Sequence, residues 1–260
     1  MKAKKSLGQN FLIDENIINN IVEQINANED DLIIEIGPGR GAITKKLIDK
    51  KSHYIGYEID NELIPILKKF VGNKIVIKNQ DFLASDLTND IKNITYNKLF
   101  IVGNLPYYIT TPIIEHIINS KIKFEKLVIM VQKEVADRFM ASCGAKDYGY
   151  MTLYLKYYFD IFKVCDVSKF SFNPVPKVES SVLSFSIRKN RTIVDENKYF
   201  EFLKACFKQK RKTLKNNIGN IKFEKIKKIL LKNNIMENVR AEEINEELFI
   251  LLFNELNKNN

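Results

Sequence analysis

The feature that most constrains this chain is a repeated change of period. Short β-branched runs recur at LIIEI (32–36), HYIGYEI (53–59), KIVIKN (74–79), LFIVG (99–103) and KLVIMV (126–131), with helical segments between most of them. Runs that are apolar along their whole length fit strands buried on both faces. Their alternation with helices predicts a parallel, doubly wound α/β sheet. Ahead of them, Ile17, Ile18, Ile21, Val22 and Ile25 repeat at helical spacing after Asp14, a cap residue, so a helix is expected there. From about Tyr148 to Ile187 two further runs, YMTLYLKYYF and SVLSFSI, flank the loop FNPVPKVES and are read as antiparallel strands added at one edge. After about Lys189 the β-branched runs stop. Three amphipathic segments follow near 196–209, 222–233 and 243–257, so the expected division is a sheet domain over 1–188 and a small helical domain over 189–260.

At 260 residues and 45% hydrophobic the chain can bury a full core and a second, smaller domain. No apolar run approaches the roughly 20 residues that span a bilayer, and the start lacks the apolar stretch of a secretory signal, so a cytoplasmic protein is expected. Cys143, Cys165 and Cys206 are odd in number and far apart, and only His53 and His116 could join them. Neither a disulfide framework nor a metal site is expected from that spacing. The formal charge is +9, and one tract matches it: Lys204 to Lys228 holds ten basic residues against one acid, Glu224, so 10 − 1 = +9. A concentrated basic face on an otherwise balanced chain points to nucleic acid, with Lys208, Lys210, Arg211 and Lys212 as candidate contacts. The competing reading is a solvated helix face.

Three consecutive strand ends carry candidate ligand groups. IIEIGPGRGAIT places Gly37, Gly39 and Gly41 between the first strand and a helix, where glycine permits positive φ and close approach to the backbone. The spacing G-x-G-x-G differs from the dinucleotide fingerprint. The second strand ends in YEID, with Glu58 21 residues after Gly37 and placed to accept both hydroxyls of a ribose. The third ends in NQDF, where Asp81 can accept from an exocyclic adenine amine. Together they predict a ligand containing an adenosine, either NAD or S-adenosylmethionine.

The fourth strand separates the two, because hydride transfer has no use for NLPY. Adenine's exocyclic amine is a poor nucleophile whose lone pair is delocalised into the ring. Acceptors aimed at its two N–H bonds favour the pyramidal nitrogen that develops during methyl transfer. Asn104 offers a side-chain oxygen. Pro106 forces Leu105 into an extended conformation and turns the Leu105 carbonyl out as a second acceptor. Tyr107 adds a ring on which a base can stack, worth roughly 1–3 kcal/mol. No general base is required, since the nitrogen becomes acidic only after gaining the methyl group.

In this combination the chain resembles the ribosomal RNA adenine N6,N6-dimethyltransferase family, through SLGQNFLID (6–14), EIGPGRGAIT (35–44), YEID (57–60), NQDF (79–82), GNLPYYITTP (103–112), QKEVADRF (132–139), FNPVPKVESSV (172–182) and FKQKRKTLKNN (207–217). The resemblance implies a Rossmann-like class I methyltransferase sheet plus a small all-helical C-terminal domain for RNA recognition. It carries S-adenosylmethionine contacts onto Asn10, Leu12, Gly37, Glu58, Asp81 and Asn104. The role of Asn10 and Leu12 comes from the resemblance alone, which implies a lead-in that closes over the methionine end of the cofactor. It also implies a ring at Phe172 near the target base. The expected substrate is a pair of adjacent adenosines in a hairpin loop near the 3′ end of 16S rRNA, in a pre-30S or 30S particle, with the enzyme a monomer. Rival readings are a 23S rRNA adenine methyltransferase, a non-catalytic ribosome assembly factor and, more distantly, an NAD oxidoreductase.

Overall fold

A computed structural model describes residues 3–4 and 7–258. Ser6, the first residue of SLGQNFLID, lies outside the described residues, as do Met1, Lys2 and Lys5 of the Lys-rich start. The chain divides into two compact units, one running to Ala136 and resuming over Asp160–Ile187, the other formed by Asp137–Phe159 and the chain from Arg188 onward.

In chain order the elements are β1 (Phe11–Leu12), α1 (Glu15–Gln24), β2 (Leu32–Ile36), α2 (Ala42–Ile48), β3 (His53–Glu58), α3 (Ile64–Leu67), β4 (Ile75–Asn79), α4 (Leu87–Ile91), β5 (Leu99–Asn104), α5 (Thr110–Ser120), β6 (Lys126–Gln132) and α6 (Lys133–Met140). They continue with α7 (Tyr150–Tyr158), β7 (Phe159–Val167), β8 (Phe172–Asn173), β9 (Ser180–Ile187), α8 (Glu196–Cys206), α9 (Leu214–Ile218), α10 (Asn220–Lys232) and α11 (Glu246–Leu256). One sheet has the order β4-β3-β2-β5-β6-β9-β7, and β1 pairs separately with β8. From β4 to β6 every pairing is parallel, and β9 joins β6 antiparallel.

Burial follows the apolar pattern. Every residue of β2 is buried, as are the first five of β5 and the central five of β6, while edge strand β4 has no buried residue. Ile18, Ile21 and Ile25 from the first helical segment join Ile43, Leu47, Tyr54, Phe100 and Val128 in one core cluster. The Asp14 carboxylate caps α1 by accepting from the backbone N–H groups of Asn16 and Ile17. After β2, the chain adds β3 and β4 on one side and then crosses back to lay β5 on the other. Connections therefore diverge between β2 and β5, which leaves a crevice beyond their carboxyl ends.

One predicted strand is wrong. YMTLYLKYYF forms α7, and only its last residue begins β7. Its rings pack at helical spacing, with Tyr150 stacked on Tyr154 at 5.8 Å and Tyr154 edge-on to Tyr158 at 5.5 Å. Thr152 secures the first turn, its hydroxyl accepting from the Gly149 N–H at 3.2 Å and donating to the Arg138 carbonyl at 2.7 Å. The edge strand is instead FDIFKVCDV, whose alternation is too weak to stand out in the sequence. Residues 137–159 belong to the second unit, although the sequence division assigned them to the sheet. That unit holds the three expected helices and also the short α9, capped by Thr213 and buried at Leu214.

Candidate active site

The carboxyl ends of β2 to β5 and the segment from Leu7 to Ile13 enclose a cavity of about 450 Å³. Among the predicted residues it is lined by Asn10, Leu12, Gly37, Glu58, Asp81, Asn104, Leu105, Pro106 and Tyr107. Gly37 has φ +69, its N–H donates to the Tyr57 carbonyl at 2.9 Å, and a Cβ there would meet nothing within 4 Å. A left-handed backbone with open space beside it is what a close ligand requires. Glu35 faces inward beneath this loop, accepting from the Thr44 hydroxyl at 2.8 Å and the Tyr54 hydroxyl at 2.5 Å. Burial pushes its carboxyl up to about 7.

Glu58 ends β3 and is only 4% exposed. One carboxylate oxygen accepts from the Gly39 N–H and the other from the Asp60 N–H, both at 2.9 Å. A carboxylate offers about four lone-pair sites, and those that the backbone donors leave can face a ribose hydroxyl. Burial raises the Glu58 pKa, and the backbone donors only partly offset it, so the carboxyl stays above its ordinary value. Asp81 lies beyond the end of β4, exposed, accepting from the Leu83 N–H at 3.0 Å. Glu58 therefore touches the glycine loop, and Asp81 lines the same cavity.

At the end of β5 the close approach of backbones fixes the sequence. A Cβ on Gly103 would lie 2.9 Å from the Ile36 carbonyl oxygen and 2.8 Å from Leu105 Cδ2, so glycine is required where β5 meets β2. Asn104 Nδ2 donates to the Asn10 carbonyl at 3.0 Å. That commitment defines the amide's orientation and leaves Oδ1 as its free acceptor. Leu105 is 1% exposed, and its carbonyl accepts no hydrogen bond from the described residues. The Ile109 N–H closes the following turn onto the Pro106 carbonyl at 3.2 Å. Tyr107 is tethered through its hydroxyl to Ser180 Oγ at 2.9 Å, which fixes the direction of its ring axis, while Tyr108 is 63% exposed.

Five candidates are not among the lining residues of this cavity. Phe172, expected beside the target base, is 2% exposed in the hydrophobic core and lies outside the cavity lining. Its strand pairs Leu12 with Phe172 and turns the ring inward. Lys208, Lys210, Arg211 and Lys212 belong to the second unit, where all four are exposed in the turn between α8 and α9. Within the basic tract Lys227 pairs with Glu237 at 2.8 Å and Lys215 reaches Glu224 at 4.0 Å. Sequence reasoning missed Ser180, Tyr54 and Thr44, whose contacts depend on strand order. It also missed Gln9 and Asp60, although they lie within the quoted segments SLGQNFLID and YEID.

A family model described as ribosomal RNA adenine dimethylase matches residues 1–258. The chain belongs to the ribosomal RNA adenine dimethylase family. Among its relatives, the ribosomal RNA small subunit methyltransferase A of Mycoplasmopsis pulmonis is 45% identical over 258 residues, covering 98% of this chain and all of the relative. The protein of the same name from Mycoplasma mobile is 41% identical, with 98% of each chain covered. Among solved structures, a dimethyladenosine transferase from Plasmodium falciparum superposes with a TM-score of 0.79 at 26% identity, over 95% of this chain and 98% of that one. The 23S rRNA methyltransferase ErmE shares the fold, with a TM-score of 0.75 at 24% identity over 96% of this chain and all of the other. Both members of the α/β-plus-helical architecture therefore have full-length counterparts in this Rossmann-like fold.

Proposed function

We propose that this family member transfers methyl groups from S-adenosylmethionine to N6 of two adjacent adenosines in a 3′-terminal hairpin loop of 16S rRNA, on a pre-30S or 30S particle in the cytoplasm. The observation that carries the reading is the pair of unused acceptors on residues that line the cavity, Asn104 Oδ1 and the Leu105 carbonyl. They stand in one cavity with two acids and a glycine face. Among the described residues no helix is long and apolar enough to cross a membrane.

The residues present fit the cofactor. Open space over Gly37, the lone pairs of Glu58 for a ribose diol and Asp81 for an adenine amine are the groups an adenosine needs, in a cavity of about 450 Å³. Asn10, Leu12 and Asn104 line the rest of it. When bound, the cofactor supplies an electrophilic methyl group on a sulfonium.

The chain's own contribution is positioning and electrostatics. Asn104 Oδ1 and the Leu105 carbonyl accept from the two N–H bonds of the target amine and draw its lone pair out of the ring. Tyr107, its ring held in place at the hydroxyl by Ser180, holds the base by stacking. Holding the nitrogen in line contributes about 7–11 kcal/mol when the geometry is right. The proton leaves to water after the nitrogen has become cationic, so no side chain need act as a base. Lys208, Lys210, Arg211 and Lys212 supply phosphate contacts from the helical unit. The enzyme acts as a monomer.

Tritiated methyl donor offered with undermethylated small or large ribosomal subunits tests this. Label at adjacent adenines of 16S rRNA is expected. Incorporation confined to 23S rRNA overturns the substrate assignment.

A further inference from the structure

Asn104 is useful as an acceptor only if its nitrogen, rather than its oxygen, is occupied elsewhere. The group that occupies it is a main-chain carbonyl, Asn10, on the lead-in before β1. What holds that lead-in is therefore part of the catalytic geometry. Its neighbour Gln9 donates from Nε2 to Asp60 Oδ2 at 2.7 Å, and Gln9 Oε1 accepts from the Lys4 N–H at 2.8 Å. Lys4 Nζ completes the contact, 2.6 Å from Asp60 Oδ1 and 2.9 Å from Glu62. Asp60 is 3% exposed and sits two residues beyond Glu58, to which its N–H donates at 2.9 Å.

A continuous chain of hydrogen bonds follows from these contacts. It runs from the Gly39 N–H through Glu58, the Asp60 main chain and the Asp60 carboxylate to Gln9. Gln9 is covalently joined to Asn10, whose carbonyl receives Asn104. We infer that Gln9 and Asp60 are positioning residues. Their hydrogen bond sets the Asn10 carbonyl, and that carbonyl fixes which end of the Asn104 amide faces the target amine. The arrangement ties the acid that faces the ribose to the amide that meets the base. The inference rests on the proposed methyl transfer, and its test is built to fail separately from it.

Gln9→Glu is nearly isosteric and sets a carboxylate against the Asp60 carboxylate. Asp60→Asn in the same chain restores one donor and one acceptor across the gap. In single-turnover methylation of undermethylated small subunits, Gln9→Glu is expected to slow the chemical step at saturating donor and RNA by at least about tenfold, near 1.4 kcal/mol. The double substitution should recover most of that loss, a non-additivity that generic destabilisation does not produce. A second readout needs no activity: tryptic cleavage after Lys4 in the ligand-free protein should be faster in Gln9→Glu and return toward the original rate in the double variant. Absent methylation by the unaltered protein sinks the proposed function. Normal methylation with Gln9→Glu equally fast, or a double variant no better than the single one, sinks the positioning role alone.

Discussion

Replacing Asn104 with Ala removes one of two acceptors from the target amine while leaving every strand-end acid in place. Removing a single pre-organised hydrogen-bonding group of this kind typically costs 10²–10³ in kcat, or about 2.7–4 kcal/mol. The effect on the cofactor should be much smaller. What the ground state loses is one neutral hydrogen bond, from Asn104 Nδ2 to the Asn10 carbonyl at 3.0 Å, worth about 1 kcal/mol. S-adenosylhomocysteine affinity should therefore fall by less than about tenfold. Asn104→Asp gives a complementary outcome. It keeps an acceptor for the amine but turns an oxygen toward the Asn10 carbonyl, so lead-in docking should suffer more than with Ala and kcat less. Calorimetric titration with S-adenosylhomocysteine and single-turnover methylation of undermethylated small subunits separate the two quantities. The reasoning fails if the Ala variant turns over within about threefold of the unaltered protein, or if its Kd and rate losses are equal.

Four further outcomes follow from the same geometry. Replacing Lys210, Arg211 and Lys212 with Gln should lower the slope of log affinity for small-subunit particles against log salt by about 2, from roughly 0.7 per phosphate contact; an unchanged slope returns the tract to a solvated face. Gly37→Ala, at φ +69, should cost about 1–2 kcal/mol in thermal stability and lose S-adenosylhomocysteine binding; undiminished binding would remove Gly37 from the site. Phe172→Ala should destabilise the fold by about 3–5 kcal/mol in denaturant titration; an unaltered midpoint with weakened RNA affinity would restore the ring to the substrate. For Glu35 the sign is set by a carboxyl whose folded pKa, about 7, lies above its ordinary value of 4.5. The folded state binds the extra proton between those values, so this group's contribution is full below 4.5 and declines as pH rises to about 7, by on the order of 3 kcal/mol. Glu35→Gln should flatten that part of the melting profile, and an unchanged slope between pH 5 and 7 would show that the carboxyl is already ionised.

The central sheet was legible because β2, β5 and β6 are buried on both faces, and such burial writes itself as continuous apolar runs. The edge was less so. In α7 buried Leu153, Tyr154, Leu155 and Tyr157 read equally well as strand, and helix versus strand for a short aromatic run depends on what it packs against. Glu58, Asp81 and Asn104 could be placed because a parallel sheet delivers every strand end to one side. Ser180 could not, since its contact with Tyr107 requires knowing that β9 returns antiparallel beside β6. The Gln9–Asp60 contact joins residues 51 apart with no periodic signal between them. The place of Phe172 was not legible either: its role came from resemblance, which carries no signal of burial, and its ring lies in the core.

The small β1–β8 pairing has a consequence for the order in which the protein assembles. Leu12 pairs with Phe172, and Ile13 donates its N–H to the Ser171 carbonyl at 2.9 Å, so a lead-in present from the start of synthesis has its partner strand only near the end of the first unit. Closing so long a loop is entropically costly and slow compared with local helix formation. The amides of Leu12 and Ile13 should gain hydrogen-exchange protection after those of α1 and α2 during refolding. In a nascent chain that has passed Asn104 but not yet Phe172, the Asn10 carbonyl then rests on the Gln9–Asp60 contact alone, without the strand pairing that later anchors the lead-in.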